Sequence, residues 1–177
     1  GEGGVFGYRI PGFVATNRSL HVFAEARQHT HSLGVCSDEG PHRMAYKRST
    51  DRGRTFTPVR IVVDPKQVWG PQEAAGAVYD PTPVYDAVTG TLWVLFSYCP
   101  ARYMSRPQVP WAFEMWAIKS TDDGLHFSAP RNLSAIPTPG FPAGSPPGHW
   151  CPNGSKTWHC HGCNTDGWCN GWCQRTG

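Results

Sequence analysis

Three charged side chains near the start of the chain, Arg9, Glu25 and Arg27, have the types and spacing that point most directly to ligand binding. The planar guanidinium of an Arg can grip a carboxylate through two parallel charge-assisted hydrogen bonds, which a Lys ammonium does not reproduce. Glu25 and Arg27 lie two residues apart, so on a strand both side chains point to one face. The spacing therefore predicts that one face of this strand is charged. The alternatives are an Arg lying along the surface at a strand start and an exposed ion pair.

A repeated sequence motif indicates the strands and turns that carry these side chains. Residues 49–56 and 120–127 both read Ser-x-Asp-x-Gly-x-x-aromatic, and they start 71 residues apart (120 − 49 = 71). In a turn between antiparallel strands, the Ser and Asp side chains bond nearby backbone N–H groups, Gly supplies a positive φ, and the aromatic ring packs beneath. Two such copies predict a repeat protein. We name them the first and the second Asp turn.

The residues around the two Asp turns repeat as well. Residues 19–23 lie 72 positions before 91–95, and residues 9–11 lie 72 positions before 81–83. Each repeat reads as an extended segment with Pro, a turn, an apolar strand, a long connection, a third strand, the Asp turn and a fourth strand. Four antiparallel strands per repeat, with no convincing amphipathic helix, favour the blades of an all-β propeller.

The run Tyr8-Arg9-Ile10-Pro11, followed by Phe23-Ala24-Glu25-Ala26-Arg27 and the first Asp turn, resembles the N-terminal portion of exo-α-sialidases (neuraminidases) over residues 5–134. The resemblance implies a six-bladed β-propeller with Asp-box (BNR) repeats, of which about two four-stranded blades are present, near 8–63 and 77–134. It also implies a glycosidase that hydrolyses terminal sialic acid with retention, in ganglioside and oligosaccharide catabolism. The alternative is a non-catalytic Asp-box propeller that binds glycans.

The same resemblance gives roles to four residues. Arg9 is the first of three arginines that clamp the sialic acid carboxylate. Glu25 orients Arg9, and Arg27 contacts the substrate. Asp80 accepts a hydrogen bond from a sugar hydroxyl, with a turn-forming Asp-Pro as the alternative.

A further carboxylate, Asp38, lies in the loop 36–41 between the second and third predicted strands. The resemblance makes Asp38 the general acid/base, which protonates the leaving glycosidic oxygen and later activates water. Glu39 is the rival, and an ordinary solvated loop acid is the alternative. The family's nucleophilic Tyr, its Glu partner and the second and third clamp arginines are not identifiable in the sequence. We therefore expect no turnover by these 177 residues alone, and no cofactor or catalytic metal.

Composition narrows the choice of partners and compartment. The formal charge of +3 is small and the 16 Lys and Arg are scattered, which argues against nucleic acid as a partner. No apolar run approaches the roughly 20 residues of a membrane span. Seven Cys and the sequons at Asn17, Asn132 and Asn153 fit an oxidising, glycosylating compartment. We expect a secreted, lysosomal or membrane-associated protein of the secretory pathway, acting on sialylated glycoproteins, gangliosides or oligosaccharides.

Sequence character changes near residue 137. Residues 1–136 are predicted to hold the two blades, and residues 137–177 a Pro- and Gly-rich linker and a Cys- and Trp-rich tail. The cysteines of the tail are Cys151, Cys160, Cys163, Cys169 and Cys173. A disulfide knot, a zinc site and a disordered or aberrantly translated segment all remain open for this tail.

Overall fold

The computed structural model describes residues 2–28, 40–104 and 113–134, and two further strands, Trp158–Cys160 and Cys173–Arg175. The chain divides into two compact parts, Gly1–Leu133 and Ser134–Gly177. In the described ranges the longest helix has five residues. None of the helices in that portion of the chain has the length and apolar character needed to cross a membrane.

The first part of the chain contains two blades of four antiparallel strands each. The first blade consists of β1 (Gly7–Ala15), β2 (Leu20–Arg27), β3 (His42–Ser49) and β4 (Arg60–Val63). The second blade consists of β5 (Ala77–Asp86), β6 (Thr91–Cys99), β7 (Glu114–Ser120) and β8 (Arg131–Asn132). Strands pair in sequence order within each blade. The predicted all-β fold with four strands per repeat is therefore confirmed.

Short elements complete the described chain. A 3₁₀ turn at Glu2–Gly4 precedes the first blade. Helix α1 (Pro65–Trp69) and a 3₁₀ turn at Pro71–Glu73 connect the blades. Helix α2 (Ala101–Met104) follows β6. In the second part of the chain, β9 (Trp158–Cys160) and β10 (Cys173–Arg175) pair antiparallel, with Cys160 opposite Cys173 along the backbone.

The first strand of each blade carries a bulge at a dipeptide that ends in Pro. Ile10 and Pro11 interrupt the register of β1 with β2, and Asp80 and Pro81 interrupt that of β5 with β6. Ile10 and Asp80 have φ values of 51° and 53°. This left-handed region costs a residue with a side chain on the order of 1 kcal/mol. Because a bulge bends and twists its strand, both strands are redirected at the same point.

The matched bulges correct one sequence-based expectation. Pro11 corresponds to Pro81 and not to Pro83, so the offset between the first strands is 70 residues (81 − 11 = 70) and not 72. The predicted offset of 72 holds for the second strands, where Phe23 and Leu95 follow the bulges at matching register positions (95 − 23 = 72). The difference arises because the hairpin of the second blade is two residues longer between bulge and second strand.

The blades bury one shared apolar core. Its buried members are Phe23, Met44, Tyr46 and Val63 of the first blade and Val78, Leu92, Val94, Phe96, Tyr98 and Ile118 of the second. Between the bulged strands the packing leaves no room for a side chain at Gly12, where an added Cβ would lie 2.2 Å from the carbonyl oxygen of Pro81. The close approach of β1 to β5 therefore requires glycine at this position.

A buried carboxylate of the second Asp turn inserts into the first blade. Asp123, with φ 59°, accepts hydrogen bonds from Thr16 Oγ1 at 2.7 Å and Ser19 Oγ at 2.6 Å. The guanidinium of Arg48 forms an ion pair with the same carboxylate, and His21 Nε2 lies 3.3 Å from it. Burial would raise the pKa of Asp123, but the bonds from Ser19, Arg48 and Thr16 and the charge of Arg48 outweigh it and hold the pKa well below its usual range. The charge is thus compensated from two strands and one turn of the other blade.

The rest of the second Asp turn packs on the first blade as well. Arg60 donates to the carbonyl oxygens of Gly124 at 2.8 Å and Leu125 at 2.7 Å. Phe127 makes edge contacts with the rings of Phe23 and Tyr46, at centroid distances of 5.8 and 5.1 Å. The turn therefore joins the blades through an ion pair, hydrogen bonds from the Arg60 side chain to its backbone carbonyls, and aromatic packing.

Both Asp turns have the internal hydrogen bonds that the motif predicts, but the predicted packing of the aromatic residue is wrong for the first turn, where Phe56 is 40% exposed. In the first turn, Asp51 accepts bonds from Ser49 Oγ at 2.7 Å and from Thr55 N at 2.9 Å, and Gly53 has φ 83°. Hydrogen bonds from Thr55 and Ser49 lower the pKa of Asp51 to about 2. Asp122 forms the same bonds with Ser120 and His126 in the second turn.

Replacing Asp123 by Asn should lower the free energy of unfolding by about 2 to 3 kcal/mol, because Arg48 and two hydroxyls lose a buried charged acceptor. The matched control is Asp86→Asn, whose carboxylate accepts hydrogen bonds from Val88 and Thr89 of its own turn; a smaller loss is expected. The measurement is urea denaturation followed by circular dichroism. Equal losses in the two variants would contradict the inter-blade role.

The same variant should change the acid stability of the protein. Since the folded-state pKa of Asp123 lies below the unfolded value of about 3.9, its stabilisation is fully present above about pH 4 and is lost as the pH falls further. Unfolding curves between about pH 6 and pH 2 should therefore fall less steeply with acid in Asp123→Asn than in the wild type.

Candidate active site

Four of the five residues predicted for the site come together at the bulged strands. Arg9 of β1 lies opposite Glu25 of β2 in the strand register. The backbone N–H of Asp80, in the bulge of β5, donates to Glu25 Oε1 at 3.0 Å. Arg27 bonds the other oxygen of the same carboxylate. Glu25 is thus the common partner that joins the two blades at this point.

Glu25 and Arg27 form a buried ion pair. Arg27 Nε donates to Glu25 Oε2 at 2.8 Å, a second guanidinium nitrogen bonds the same oxygen, and the side chains are 1% and 2% exposed. The predicted shared face is confirmed, and the alternative of an exposed ion pair is wrong. The pair is buried because alternate residues of β2, from His21 to Arg27, lie on the face that the second blade covers.

The charge balance at Glu25 involves both blades. Burial raises the pKa of Glu25, and the Asp80 amide and the guanidinium of Arg27 oppose this rise. A buried ion pair is stable only when its geometry is good and its remaining hydrogen-bonding groups find partners. The Asp80 amide supplies such a partner to the carboxylate, so the second blade contributes to the stability of a charge pair that belongs to the first.

Exposure separates the site residues into two kinds. Arg9 and Asp80 are exposed and can be reached by a ligand. Glu25 and Arg27 are buried beside them, which suits residues that hold the site together. The predicted contact of Arg27 with substrate stays a prediction, and the burial of its side chain in this chain works against it.

Two aromatic rings complete the surroundings of Glu25, and neither was assigned to the site from the sequence. His42, fully buried at the start of β3, has Nδ1 3.8 Å from Glu25 Oε2, and its ring contacts the edge of Tyr79 at 4.7 Å between centroids. Tyr79 occupies the position in β5 that Arg9 occupies in β1. A signal for His42 was available, since it lies opposite Arg27 once β2 and β3 are paired.

The predicted acid/base, Asp38, and its rival Glu39 lie outside the described residues. The segment that carries them leaves β2 directly after Arg27 and returns to β3 at His42. Both ends of this segment therefore lie beside Glu25. The acid/base role of Asp38 stays a prediction.

Among residues 2–28, 40–104 and 113–134, no three His, Cys, Asp or Glu side chains cluster closely enough to hold a metal ion. The cysteine side chains of the tail lie outside the described residues, so the choice between a disulfide knot, a zinc site and a segment without defined structure stays open.

Known proteins resemble this chain in sequence and in fold. No family model matches it. A sialidase of Bacteroides fragilis (strain YCH46) is 29% identical over 137 residues, which is 72% of this chain and 24% of the relative. The Hadza microbial sialidase Hz136 superposes with a TM-score of 0.62 at 28% identity, covering 73% of this chain and 26% of that structure. The Trypanosoma rangeli sialidase in complex with sialic acid gives 0.55 at 21% identity, covering 78% and 22%.

These similarities define the class of the fold. The described strands form about two blades of a sialidase-type β-propeller, as the sequence predicts. The chain is similar to sialidases in sequence as well, and it spans about a quarter of the length of the curated relative that it matches.

The buried ion pair can be tested by a double-mutant cycle. Arg27→Met should lower the free energy of unfolding by about 3 kcal/mol or more, because it leaves the Glu25 carboxylate buried without its cation. The double variant Glu25→Met/Arg27→Met should recover part of this loss, because both charges are replaced together by apolar side chains of similar length. Additive losses in the two single variants would contradict a buried ion pair.

Proposed function

We propose that this sequence provides two blades of an exo-α-sialidase, a glycoside hydrolase that releases terminal sialic acid from glycoconjugates with retention of configuration. The observation that carries the proposal is the junction of the blades, where exposed Arg9 and Asp80 flank a buried ion pair. Support comes from the similar sialidase of Bacteroides fragilis and from the Trypanosoma rangeli structure, which contains sialic acid.

In this proposal the two exposed residues bind the sugar. Sialic acid carries a carboxylate on its anomeric carbon, and the guanidinium of Arg9 binds it through two parallel hydrogen bonds. Asp80 accepts a hydrogen bond from a ring hydroxyl. Its backbone is fixed in a left-handed bulge by the bond of its N–H to Glu25, so the carboxylate starts from a defined position.

Asp38 performs the proton transfers. It donates its proton to the glycosidic oxygen as the bond to the anomeric carbon breaks, and the ionised carboxylate then takes a proton from the water that releases the sugar. Retention requires a nucleophile that bonds the anomeric carbon between these steps. A neutral Tyr is suited to attack a carbon that bears a carboxylate, but we assign no residue of this chain to that role.

The partners and compartment follow from this activity. The substrates we propose are sialylated glycoproteins, gangliosides and oligosaccharides, which fit a secreted, lysosomal or membrane-associated protein of the secretory pathway. The tail 137–177, with its Cys and Trp residues, has no role in the proposed chemistry.

Arg9→Ala should weaken binding of the α-methyl glycoside of N-acetylneuraminic acid by about tenfold or more, since a charge-assisted hydrogen bond contributes about 1.5 to 3 kcal/mol. Arg9→Lys should restore only part of the affinity because an ammonium cannot form the parallel pair. Ligand-observed NMR suits the weak binding. The control is Arg18→Ala, an exposed arginine in the turn at the other end of β1, which should bind like the wild type. Equal binding by Arg9→Ala and the wild type would contradict the clamp.

Asp38→Asn should abolish hydrolysis of a fluorogenic sialoside by the longest native polypeptide that carries this sequence, because the acid/base is lost while binding is kept. Glu39→Gln is the matched control and should retain activity. The reverse result would move the role to Glu39. Binding without any turnover in the wild type would favour a glycan-binding propeller without catalysis.

A further inference from the structure

A cavity of about 510 Å³ lies at the end of the first blade where β2 ends and β3 begins. Its lining comes from two segments of the chain. Gln28, which follows β2, and Arg43 of β3 belong to the blade itself. Asp64, Lys66 and Gln67 belong to the connection between the blades. A volume of this size is typical of sites that bind small organic molecules.

The cavity receives side chains from the face of the first blade that does not carry the buried ion pair. Arg43 pairs with Ala26 in the register of β2 and β3. Since side chains alternate between the faces along a strand, Ala26 and Arg43 point away from the face of Glu25 and Arg27. The candidate active site therefore gives no role to Arg43.

Arg43 brings a buried donor without an acceptor to this cavity. Its Nε is buried and has no hydrogen-bond partner among the described residues. Its ion pair with Asp64 is long, since 3.9 Å separate a terminal guanidinium nitrogen from Asp64 Oδ2. This distance exceeds that of a hydrogen bond. Because a buried donor without an acceptor costs free energy, the guanidinium is suited to an acceptor from outside the described chain.

The formal charges of the lining favour an anion with a single negative charge. Arg43 and Lys66 are the cations among the lining residues and Asp64 is the acid, which leaves a net charge of +1 (2 − 1 = 1). A guanidinium binds a carboxylate through parallel charge-assisted hydrogen bonds. A phosphate monoester, with a charge of about −1.5 to −2 at pH 7, would be repelled more strongly by Asp64.

The uncharged part of the lining suits a sugar ring better than a small carboxylate. The side-chain amides of Gln28 and Gln67, which are both exposed, can donate to hydroxyl groups and accept from them. Apolar surface for the C–H groups of a ring comes from Pro41, Pro65 and Pro71. An ion of the size of acetate would fill only a small part of the 510 Å³.

We propose that this cavity binds a carboxylated monosaccharide unit. The guanidinium of Arg43 binds the carboxylate, Lys66 supplies the second positive charge, and the amides of Gln28 and Gln67 bind hydroxyl groups. Uronic acids and sialic acids share this chemistry. The inference rests on the cavity and on the unpartnered donor of Arg43, and it does not depend on the proposed activity.

The first test titrates D-glucuronic acid, and separately N-acetylneuraminic acid, into the ¹⁵N-labelled full chain. At least one of these acids should shift the resonances of Arg43 Nε–H and of the Lys66 amide, and the acid that does so identifies the kind of sugar. The neutral control, D-glucose, should leave both resonances unchanged. No shift at Arg43 with either acid would overturn the proposal, whereas Arg9 Nε–H in the same spectra reports separately on the candidate active site. Tighter binding of inorganic phosphate at Arg43 would overturn the choice of a carboxylated sugar.

Variants test which side chains hold the carboxylate. Arg43→Met should weaken binding of the acid by about tenfold or more, because the charge-assisted hydrogen bonds are lost. Lys66→Met should cause a smaller loss and leaves the fold intact, since this side chain is exposed. The matched control is Arg54→Met, an exposed arginine of the first Asp turn, which should bind like the wild type. Unchanged affinity in both Arg43→Met and Lys66→Met would contradict the proposal.

Thermal stability distinguishes a binding role of Arg43 from a structural one. Without ligand, Arg43→Met should melt at the same temperature as the wild type or higher, because the buried Nε has no acceptor to lose. Arg27→Met is the contrasting variant, since it removes a buried ion pair and should melt lower. A comparable fall in melting temperature for Arg43→Met would assign this arginine to the fold and overturn its proposed role.

Discussion

The carboxylate of Asp123, inserted from the second blade into the first, is the interaction on which the arrangement of the two blades depends. Hydroxyl donors, a guanidinium and an imidazole of the first blade surround it. At the bulged strands the buried carboxylate belongs to the first blade and the donor to the second. Glu25 there accepts a hydrogen bond from the backbone N–H of Asp80. Each blade thus supplies hydrogen-bond donors to a buried carboxylate of the other. Separating the blades would leave the Asp123 carboxylate without these partners and would take the Asp80 amide away from Glu25.

This mutual dependence has a direct consequence for the site. Apolar packing alone holds two sheets together without fixing their relative position to a fraction of an ångström. Two buried carboxylates with directional partners add that precision, and the contact of Gly12 with Pro81 fixes the distance between the bulged strands. Exposed Arg9 and Asp80 therefore lie beside buried, directional contacts, although they belong to different blades.

Part of this arrangement could be predicted from the sequence, because it is encoded locally. The repeated Asp turns and the alternating apolar residues predicted eight strands in two blades, and the two-residue spacing of Glu25 and Arg27 predicted their common face. The burial of this pair could not be predicted, since alternation shows which residues share a face but not what covers it. The structural role of Asp123 was not predicted, because Asp123 occupies a variable position of the repeated motif. Its role there depends entirely on the neighbouring blade.

We propose that a carboxylated sugar binds at the bulged strands, where Arg9 of β1 and Asp80 of β5 flank the Glu25 carboxylate. Titrating N-acetylneuraminic acid into the ¹⁵N-labelled chain and following the amide and arginine Nε–H resonances detects weak binding residue by residue. Binding at this place should shift the resonances of Arg9 Nε–H and of the Asp80 amide and leave the Asp123 amide unchanged. Shifts confined to other parts of the blades, or none at saturating sugar, would contradict it.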